Sequence, residues 1–151
     1  MIHVALHEPE IPPNTGNVAR SCAATGVPLH LIGRLGFRLD DRALRRAGLD
    51  YWPAVDVRRH DTLAAFEQAL APARLFCLSA HAQQRYTRAR FAPGDCLLFG
   101  SETRGLPQSI LNEEPSSNLG FPMREEVRSL NLASTATAAI YEAVRQFGGL
   151  P

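Results

Sequence analysis

The chain has 151 residues, about the size of one domain and long enough to bury a core without disulfide staples. Its formal net charge of +1 at pH 7 gives no argument for a nucleic-acid partner, so any contact with RNA would depend on local clusters of arginine. The three cysteines form no CxxC pair, no apolar run approaches the ~20 residues of a membrane span, and no signal-peptide pattern is present. These features exclude a disulfide-rich secreted protein and an integral membrane protein, and they predict a cytoplasmic location.

The order of the elements predicts a single α/β domain over residues 1–151. Residues 2–6 and 29–32 are short, apolar and β-prone, and residues 15–24 between them have a helical pattern, which gives a βαβ unit. A weaker helical turn follows at residues 40–47. The remaining elements are a helix at 61–70, strands at 75–78 and 96–99, a helical turn at 108–111 and a helix at 129–147. Such alternation predicts a mainly parallel sheet with helices on both faces.

The first half of the C-terminal helix is rich in small residues. Residues 133–139 are all alanine, serine or threonine. Small side chains let another backbone approach closely, either the sheet of the same chain or a second copy of the chain, and the two packings can coexist on different faces. We expect a self-complementary subunit interface here, and hence a homodimer.

A first polar segment, NTGNVAR at residues 14–20, opens the first predicted helix. The preceding Pro-Pro pair favours an extended approach, and Asn14 or Thr15 is suited to cap the helix. Arg20 would lie about two turns along it. On spacing alone this is a capped helix with a surface arginine, and it becomes a site only if the loop brings Asn14 and Arg20 together.

A second segment, LLFGSETRGLP at residues 97–107, runs out of a buried strand into a loop. Gly100 and Gly105 bound the loop where a backbone must turn or let a ligand approach. The pattern is neither a P-loop nor a GxGxxG fingerprint, and the missing P-loop lysine argues against nucleoside triphosphate hydrolysis. Glu102 and Arg104 within it are either an internal ion pair of a tight turn or functional groups.

A third segment, RSLNLAS at residues 128–134, opens the last helix. Ser129 is its expected N-cap, with Asn131 and Ser134 in the first two turns. The N-terminal amides would face whatever the Gly100 loop holds. A cap satisfies its helix with or without a ligand, so this segment alone does not define a site.

Other catalytic schemes find no support in the sequence. It contains no GxSxG elbow and no HExxH motif, and its histidines show no metal-ligand spacing, so we expect no metal. Cys77 and Cys96 lie inside apolar strands, which argues against a reactive thiolate.

Taken together and in this order, the three segments closely resemble the motifs of the SPOUT superfamily of RNA methyltransferases. The resemblance is strongest to the small stand-alone enzymes that 2′-O-methylate the wobble nucleotide, cytidine or modified uridine, of certain leucine tRNAs. It runs through nearly the whole chain and includes EPEIPPNTGN at 8–17, RRAGLDY at 45–51, FGSETRGLP at 99–107, PM at 122–123 and RSLNL at 128–132. Agreement at so many ordered positions is highly specific.

The resemblance implies an α/β fold, a mainly parallel sheet flanked by helices, with a C-terminal trefoil knot that no periodicity argument predicts. It implies S-adenosylmethionine as methyl donor, S-adenosylhomocysteine as product, tRNA as substrate and a second copy of the chain as partner. Loops after two strands and before the last helix would hold the cofactor. The residues concerned are Leu78, Ser79, Gly100, Glu102, Gly105, Phe121, Met123, Ser129, Leu130, Asn131 and Ser134.

The motif residues of catalysis carry over as Asn14, Arg20, Glu102, Ser129 and Asn131. An arginine side chain stays protonated near pH 7, so we expect Arg20 to orient groups and stabilise charge rather than to act as a free base. RNA contacts are expected from six arginines, which are Arg20, Arg42, Arg45, Arg46, Arg104 and Arg128.

Three alternatives remain open at the level of sequence. The enzyme would methylate another tRNA or rRNA nucleotide if a different ribose enters the site, because a cofactor site does not specify the ribose. A knotted protein that binds RNA or S-adenosylmethionine without turnover is the second, against which the intact Asn14, Arg20, Glu102 and Asn131 speak. The third is an unrelated flavodoxin-like or nucleotide-binding domain, which requires the motif order to be coincidence.

Overall fold

The computed structural model describes residues 1–40, residue 42 and residues 52–150 of the chain. Its strands are β1 (His3–His7), β2 (Leu29–Ile32), β3 (Val57–His60), β4 (Leu75–Leu78), β5 (Cys96–Phe99) and β6 (Asn118–Leu119). Its α-helices are α1 (Pro12–Thr25), α2 (Leu63–Leu70), α3 (Gln108–Glu113) and α4 (Leu132–Gln146). Single 3-10 turns lie at Trp52–Ala54, Tyr86–Arg88 and Pro115–Ser117.

All six strands form one sheet in the order β3-β2-β1-β5-β4-β6, and every neighbouring pair is parallel. The four strands predicted from apolar runs are confirmed, the first shifted by one residue. The sequence analysis missed two edge strands. β3 reads VRRH, with its two central side chains exposed, and β6 has only two residues, so neither produces an apolar run.

Helices cover both faces of the sheet, as predicted. Side chains alternate along a strand, so Val4 and Leu6 pack on the face covered by α1 and α4. Ala5 packs on the opposite face with Phe66 of α2 and Ile110 of α3. A sheet buried on both faces explains why the central strands are mostly apolar.

The small residues of α4 pack on α1 of the same chain. Ala133, Ala136 and Ala139 are buried in the core shared with α1, and the hydroxyls of Ser21 and Thr137 hydrogen-bond at 2.6 Å. Intramolecular packing therefore accounts for this side of the helix. A subunit interface on the side of α4 that faces away from α1 stays a prediction.

Both predicted helix caps were wrong. α1 begins at Pro12 and its N-cap is Ile11, which has no side-chain cap, because proline at the first turn lacks the N–H that a cap would satisfy. α4 begins at Leu132 rather than at residue 129, and its N-cap is Asn131, whose side chain accepts from Ser134 N at 3.1 Å. The helical turn expected at 40–47 lies, apart from residues 40 and 42, outside the described residues.

The backbone around Gly120 passes very close to the loop that follows β4. Ser79 N donates to Leu119 O at 2.9 Å, and Gly120 N donates to Gln84 O at 2.8 Å. A Cβ at Gly120 would collide with the carbonyl oxygen of Ala82. Only glycine fits here, and this close passage fixes where the segment from Phe121 onwards enters the site.

Candidate functional site

A cavity of about 850 Å³ lies at the carboxyl ends of β4 and β5. Three loops form most of its wall, with residues 78–81, residues 99–108 and parts of the segment 121–132 that leads into α4. The start of α1 (Ile11 and Asn14), Leu111 of α3 and Thr135 of α4 complete it. Unpaired backbone groups at strand ends make this edge of a parallel sheet the usual place for a ligand. The volume falls within the ~300–1,000 Å³ typical of small-molecule sites.

Ten of the eleven predicted cofactor residues line this cavity, namely Leu78, Ser79, Gly100, Glu102, Gly105, Phe121, Met123, Ser129, Leu130 and Asn131. Ser134 does not; it is exposed one turn into α4 and donates its N–H to Asn131.

The predicted catalytic and RNA-binding residues divide between the cavity and the surface. Asn14 lines the cavity together with Glu102, Ser129 and Asn131, whereas Arg20 is exposed on α1 and does not line it. Arg20 lies six positions after Asn14, so their side chains leave α1 on different sides. Among the arginines, Arg104 and Arg128 line the cavity, Arg42 is exposed elsewhere, and Arg45 and Arg46 lie outside the described residues.

A chain of hydrogen bonds joins the three segments. Asn14 Nδ2 donates to Glu102 Oε2 at 3.3 Å, and Asn131 Nδ2 donates to Asn14 Oδ1 at 3.0 Å. Asn131 Oδ1 in turn accepts from Ser134 N at the start of α4. Each segment thus supplies one side chain to a network that spans residues 14 to 131.

The Glu102 carboxylate also binds the backbone at the start of α1. It accepts from Glu10 N at 2.9 Å and from Ile11 N at 2.6 Å. Glu102 and Arg104 do not pair with each other as the sequence had left open. Arg104 pairs instead with Glu8, with Arg104 Nη2 4.0 Å from Glu8 Oε2. Glu102 therefore ties the loop after β5 to the backbone immediately before α1.

The loop from Gly100 to Gly105 closes as a tight turn. Gly105 has φ of 66° and donates its N–H to Ser101 O at 2.9 Å. A Cβ at Gly100 would overlap the backbone of Gly105 and Leu106. Both glycines are therefore required by the turn itself.

Apolar side chains also line the cavity. Leu78 and Leu106 are buried there, and the ring of Phe121 stacks on Tyr86 with centroids 4.1 Å apart. Leu130 lines the cavity too and is nearly half exposed. This combination can hold a flat apolar group while the turn offers backbone donors and acceptors to its polar edge.

The cysteines take no part in this chemistry. Burial raises the pKa of the Cys22 thiol to about 12 and that of Cys77 to about 11, and it also raises the pKa of Cys96. Buried, protonated thiols are poor nucleophiles. Within the described parts of the chain no group of His, Cys, Asp and Glu is arranged to hold a metal ion, and no helix there is long and apolar enough to cross a membrane.

Several residues that line the cavity were not among the predicted site residues. Ile11 and Phe99 lie inside the motif segments, where the available signal was the motif itself. The others lie beside the motifs or on α3, where only the fold brings them to the wall, namely His81, Gln108, Leu111 and Thr135. Proximity to a predicted strand end was the one available signal for His81.

The chain matches the SpoU rRNA Methylase family model over residues 1–141. It is 47% identical over 149 residues to the tRNA (cytidine(34)-2′-O)-methyltransferase of Escherichia coli K12, covering 98% of this chain and 95% of that protein. The enzyme of the same name from Burkholderia ambifaria is 50% identical over 151 residues, covering 98% and 97%.

Two solved structures of methyltransferases also have folds similar to that of this chain. One, determined to study the 2-OH methylation of C/U34 on tRNA, has a TM-score of 0.91 and 52% identity, covering 98% of this chain and 97% of that one. The SpoU methyltransferase AviRb from Streptomyces viridochromogenes, solved with the cofactor AdoMet, has a TM-score of 0.79 and 25% identity, covering 97% and 60%.

Proposed function

Because the chain belongs to the SpoU methylase family, we propose that it transfers a methyl group from S-adenosylmethionine to the ribose 2′-hydroxyl of nucleotide 34, the wobble nucleotide, of tRNA. Family membership confirms the expected fold, a parallel sheet flanked by helices with a trefoil knot, and it confirms that the protein is an S-adenosylmethionine-dependent methyltransferase. The nucleotide and the roles of individual residues are the proposal.

One observation carries the proposal: the hydrogen-bonded chain Glu102–Asn14–Asn131 joins all three motifs at the wall of one cavity. Each segment alone is explained by a helix start or a turn. Their direct contact across more than a hundred residues of sequence is explained by a shared site.

The cavity suits the cofactor in size and chemistry. Leu78, Phe121, Met123 and Leu130 would enclose the adenine, and backbone groups of the Gly100–Gly105 turn would meet its polar edge. When bound, S-adenosylmethionine supplies an electrophilic methyl group on a sulfonium. Because that methyl group is already activated, the protein's main task is to hold a ribose hydroxyl in line with it.

The arginines divide the work of binding RNA. Arg104, 70% exposed, and Arg128 lie at the cavity wall, where they can hold phosphates beside the reacting ribose. Arg20 would orient the substrate and stabilise developing negative charge from outside the cavity of its own chain. Ser129 and Asn131 would hold the cofactor side of the site, and Asn14, bonded to Glu102, would fix the position of Asn131.

The proposal also covers the substrate tRNAs, the location of the protein and its oligomeric state. We infer that the substrates are leucine tRNAs, and that the chain acts in the cytoplasm as a single domain over residues 1–151. Three free, buried cysteines support a reducing compartment. A homodimer would supply a groove for tRNA that one small chain lacks, and the exposed Tyr141 on α4 beside the small residues supports an interface there.

Mapping of 2′-O-methyl groups at nucleotide resolution, in tRNA from cells with and without this protein, tests the proposal. We expect the mark at nucleotide 34 of leucine tRNAs to disappear without the protein and to return with the wild-type chain. Arg20→Ala should restore less than about 1% of the methylation rate. Arg58→Ala, an arginine paired with Asp56 on edge strand β3, serves as the control and should restore it fully.

Full methylation of nucleotide 34 in cells that lack the protein would refute the proposed substrate. Loss of a mark at a different nucleotide would assign the enzyme to that ribose instead.

A further inference from the structure

A second carboxylate next to the cavity takes part in no role proposed so far. Glu10 lies between β1 and α1, in a segment that β1 places beside the loop following β5, because the two strands are paired. Glu10 Oε1 accepts from Thr103 Oγ1 at 2.6 Å and from Thr103 N at 3.3 Å. Thr103 belongs to the Gly100–Gly105 turn that lines the cavity.

The contacts between the two segments are reciprocal. Glu102 of the turn accepts from the backbone N–H groups of Glu10 and Ile11, while Glu10 accepts from the backbone and side chain of Thr103. The Arg104–Glu8 pair adds a third contact between the same segments. Each segment therefore uses a carboxylate to bind unpaired N–H groups of the other.

The segment that carries Glu10 is fixed to the sheet. Glu8 N donates to Ile32 O at the end of β2 at 2.8 Å, and Gly36 N donates to Pro9 O at 2.9 Å. A Cβ at Gly36 would lie only 2.8 Å from Glu10 Cα, so the two backbones are in direct contact. Glu10 thus holds the turn from a firmly anchored position.

We propose that Glu10 is a positioning residue, which through Thr103 holds the Gly100–Gly105 turn at the opening that S-adenosylmethionine requires. This inference rests on the proposed function for its purpose. Glu10 acts as one half of a clamp whose other half is Glu102, and it need not touch cofactor or RNA. Hydrogen bonds from Thr103 lower the pKa of Glu10, so the acceptor stays ionised in the neutral range.

Hydrogen exchange of the ligand-free protein tests the clamp directly. In Glu10→Ala, we expect the backbone amides of residues 103–105 to exchange about 10-fold faster and the Kd for S-adenosylhomocysteine, measured by calorimetry, to rise about 10-fold. Glu10→Gln keeps the acceptor oxygen and should stay within about 3-fold of wild type in both. Glu67→Ala is the matched control, because Glu67 lies on α2, on the face of the sheet away from α1. It should change neither the exchange rates nor the Kd.

Thr103→Val removes the hydroxyl and keeps the backbone N–H. Combined with Glu10→Ala it should add little to the loss seen in Glu10→Ala alone, because both substitutions break the same contact. In the methylation assay, the clamp predicts a raised KM for the cofactor with a smaller change in kcat.

Unchanged exchange and unchanged Kd in Glu10→Ala would overturn the clamp, as would fully additive effects of the two substitutions. Exchange and S-adenosylhomocysteine binding require no RNA. If neither the exchange rates nor the Kd changes in Glu10→Ala, only the clamp is refuted. If the wild-type protein binds S-adenosylhomocysteine but methylates no tRNA, only the proposed function is refuted.

Discussion

Three histidines form a hydrogen-bonded row across β1, β2 and β3, away from the cavity. His3 Nδ1 lies 3.1 Å from His30 Nε2, and His30 Nδ1 lies 2.9 Å from His60 Nε2. His30 is 1% exposed and packs against Phe66. Burial, reinforced by positive charge on His3, His60 and Arg58, lowers the pKa of His30 to about 4.

This row predicts a loss of stability on mild acidification. The folded protein binds fewer protons at His30 than the unfolded chain does, so its contribution is complete above pH ~6.5 and is lost as the pH falls towards 4. We expect the free energy of unfolding to fall by about 2 kcal/mol from this group between pH 7 and pH 5. Urea denaturation at the two pH values measures it.

His30→Asn should flatten that pH dependence, and His81→Asn, which removes an exposed histidine, should leave it as in wild type. Equal pH dependence in His30→Asn and wild type would show that the row does not carry the effect.

At the scale of residues, sequence reasoning located most of the cavity wall but not its bonding. Glu102, Asn14 and Asn131 were singled out by motif, yet nothing in their spacing indicated that they bond to one another. The cap assigned to Ser129 was wrong because Asn131, two residues later, offers an equally good acceptor where the backbone turns helical. Local propensity does not decide between two adjacent caps.

Among the elements, β6 and its passage past the loop after β4 bring two distant backbones into close contact. Gly120→Ala should lower the free energy of unfolding by about 2–3 kcal/mol, because its methyl group would overlap the carbonyl oxygen of Ala82. Gly26→Ala is the matched comparison: that Cβ meets nothing within 4 Å, but Gly26 has φ of 70°, so only backbone strain of about 1 kcal/mol is expected. Urea denaturation of both variants measures the difference.

A Gly120→Ala protein as stable as Gly26→Ala would show that the backbones around β6 separate easily. Those contacts would then not fix the position of Phe121, the neighbouring residue that lines the cavity.

The elements that the sequence analysis found are those with a local signal. Buried central strands and the amphipathic helix α2 have one, whereas β3 is polar and β6 is set by a contact between distant backbones. The edge strands follow from the pairing of the sheet and from no local pattern.

For the whole molecule, periodicity predicted the parallel sheet, whereas the knot was predicted only from the order of the motifs. Alternating strands and helices predict a parallel sheet, which the structure confirms, but a trefoil knot depends on how the chain passes through itself. Only resemblance to a knotted family supplied it, and membership in the SpoU methylase family confirms it.

We propose that the cavity serves the 2′-hydroxyl of one nucleotide in tRNA. The most direct test supplies the purified protein with methyl-labelled S-adenosylmethionine and two forms of a leucine tRNA, identical except that one has 2′-deoxyribose at nucleotide 34. We expect stoichiometric labelling of the normal tRNA and none of the 2′-deoxy form. Equal labelling of both forms would contradict the proposal.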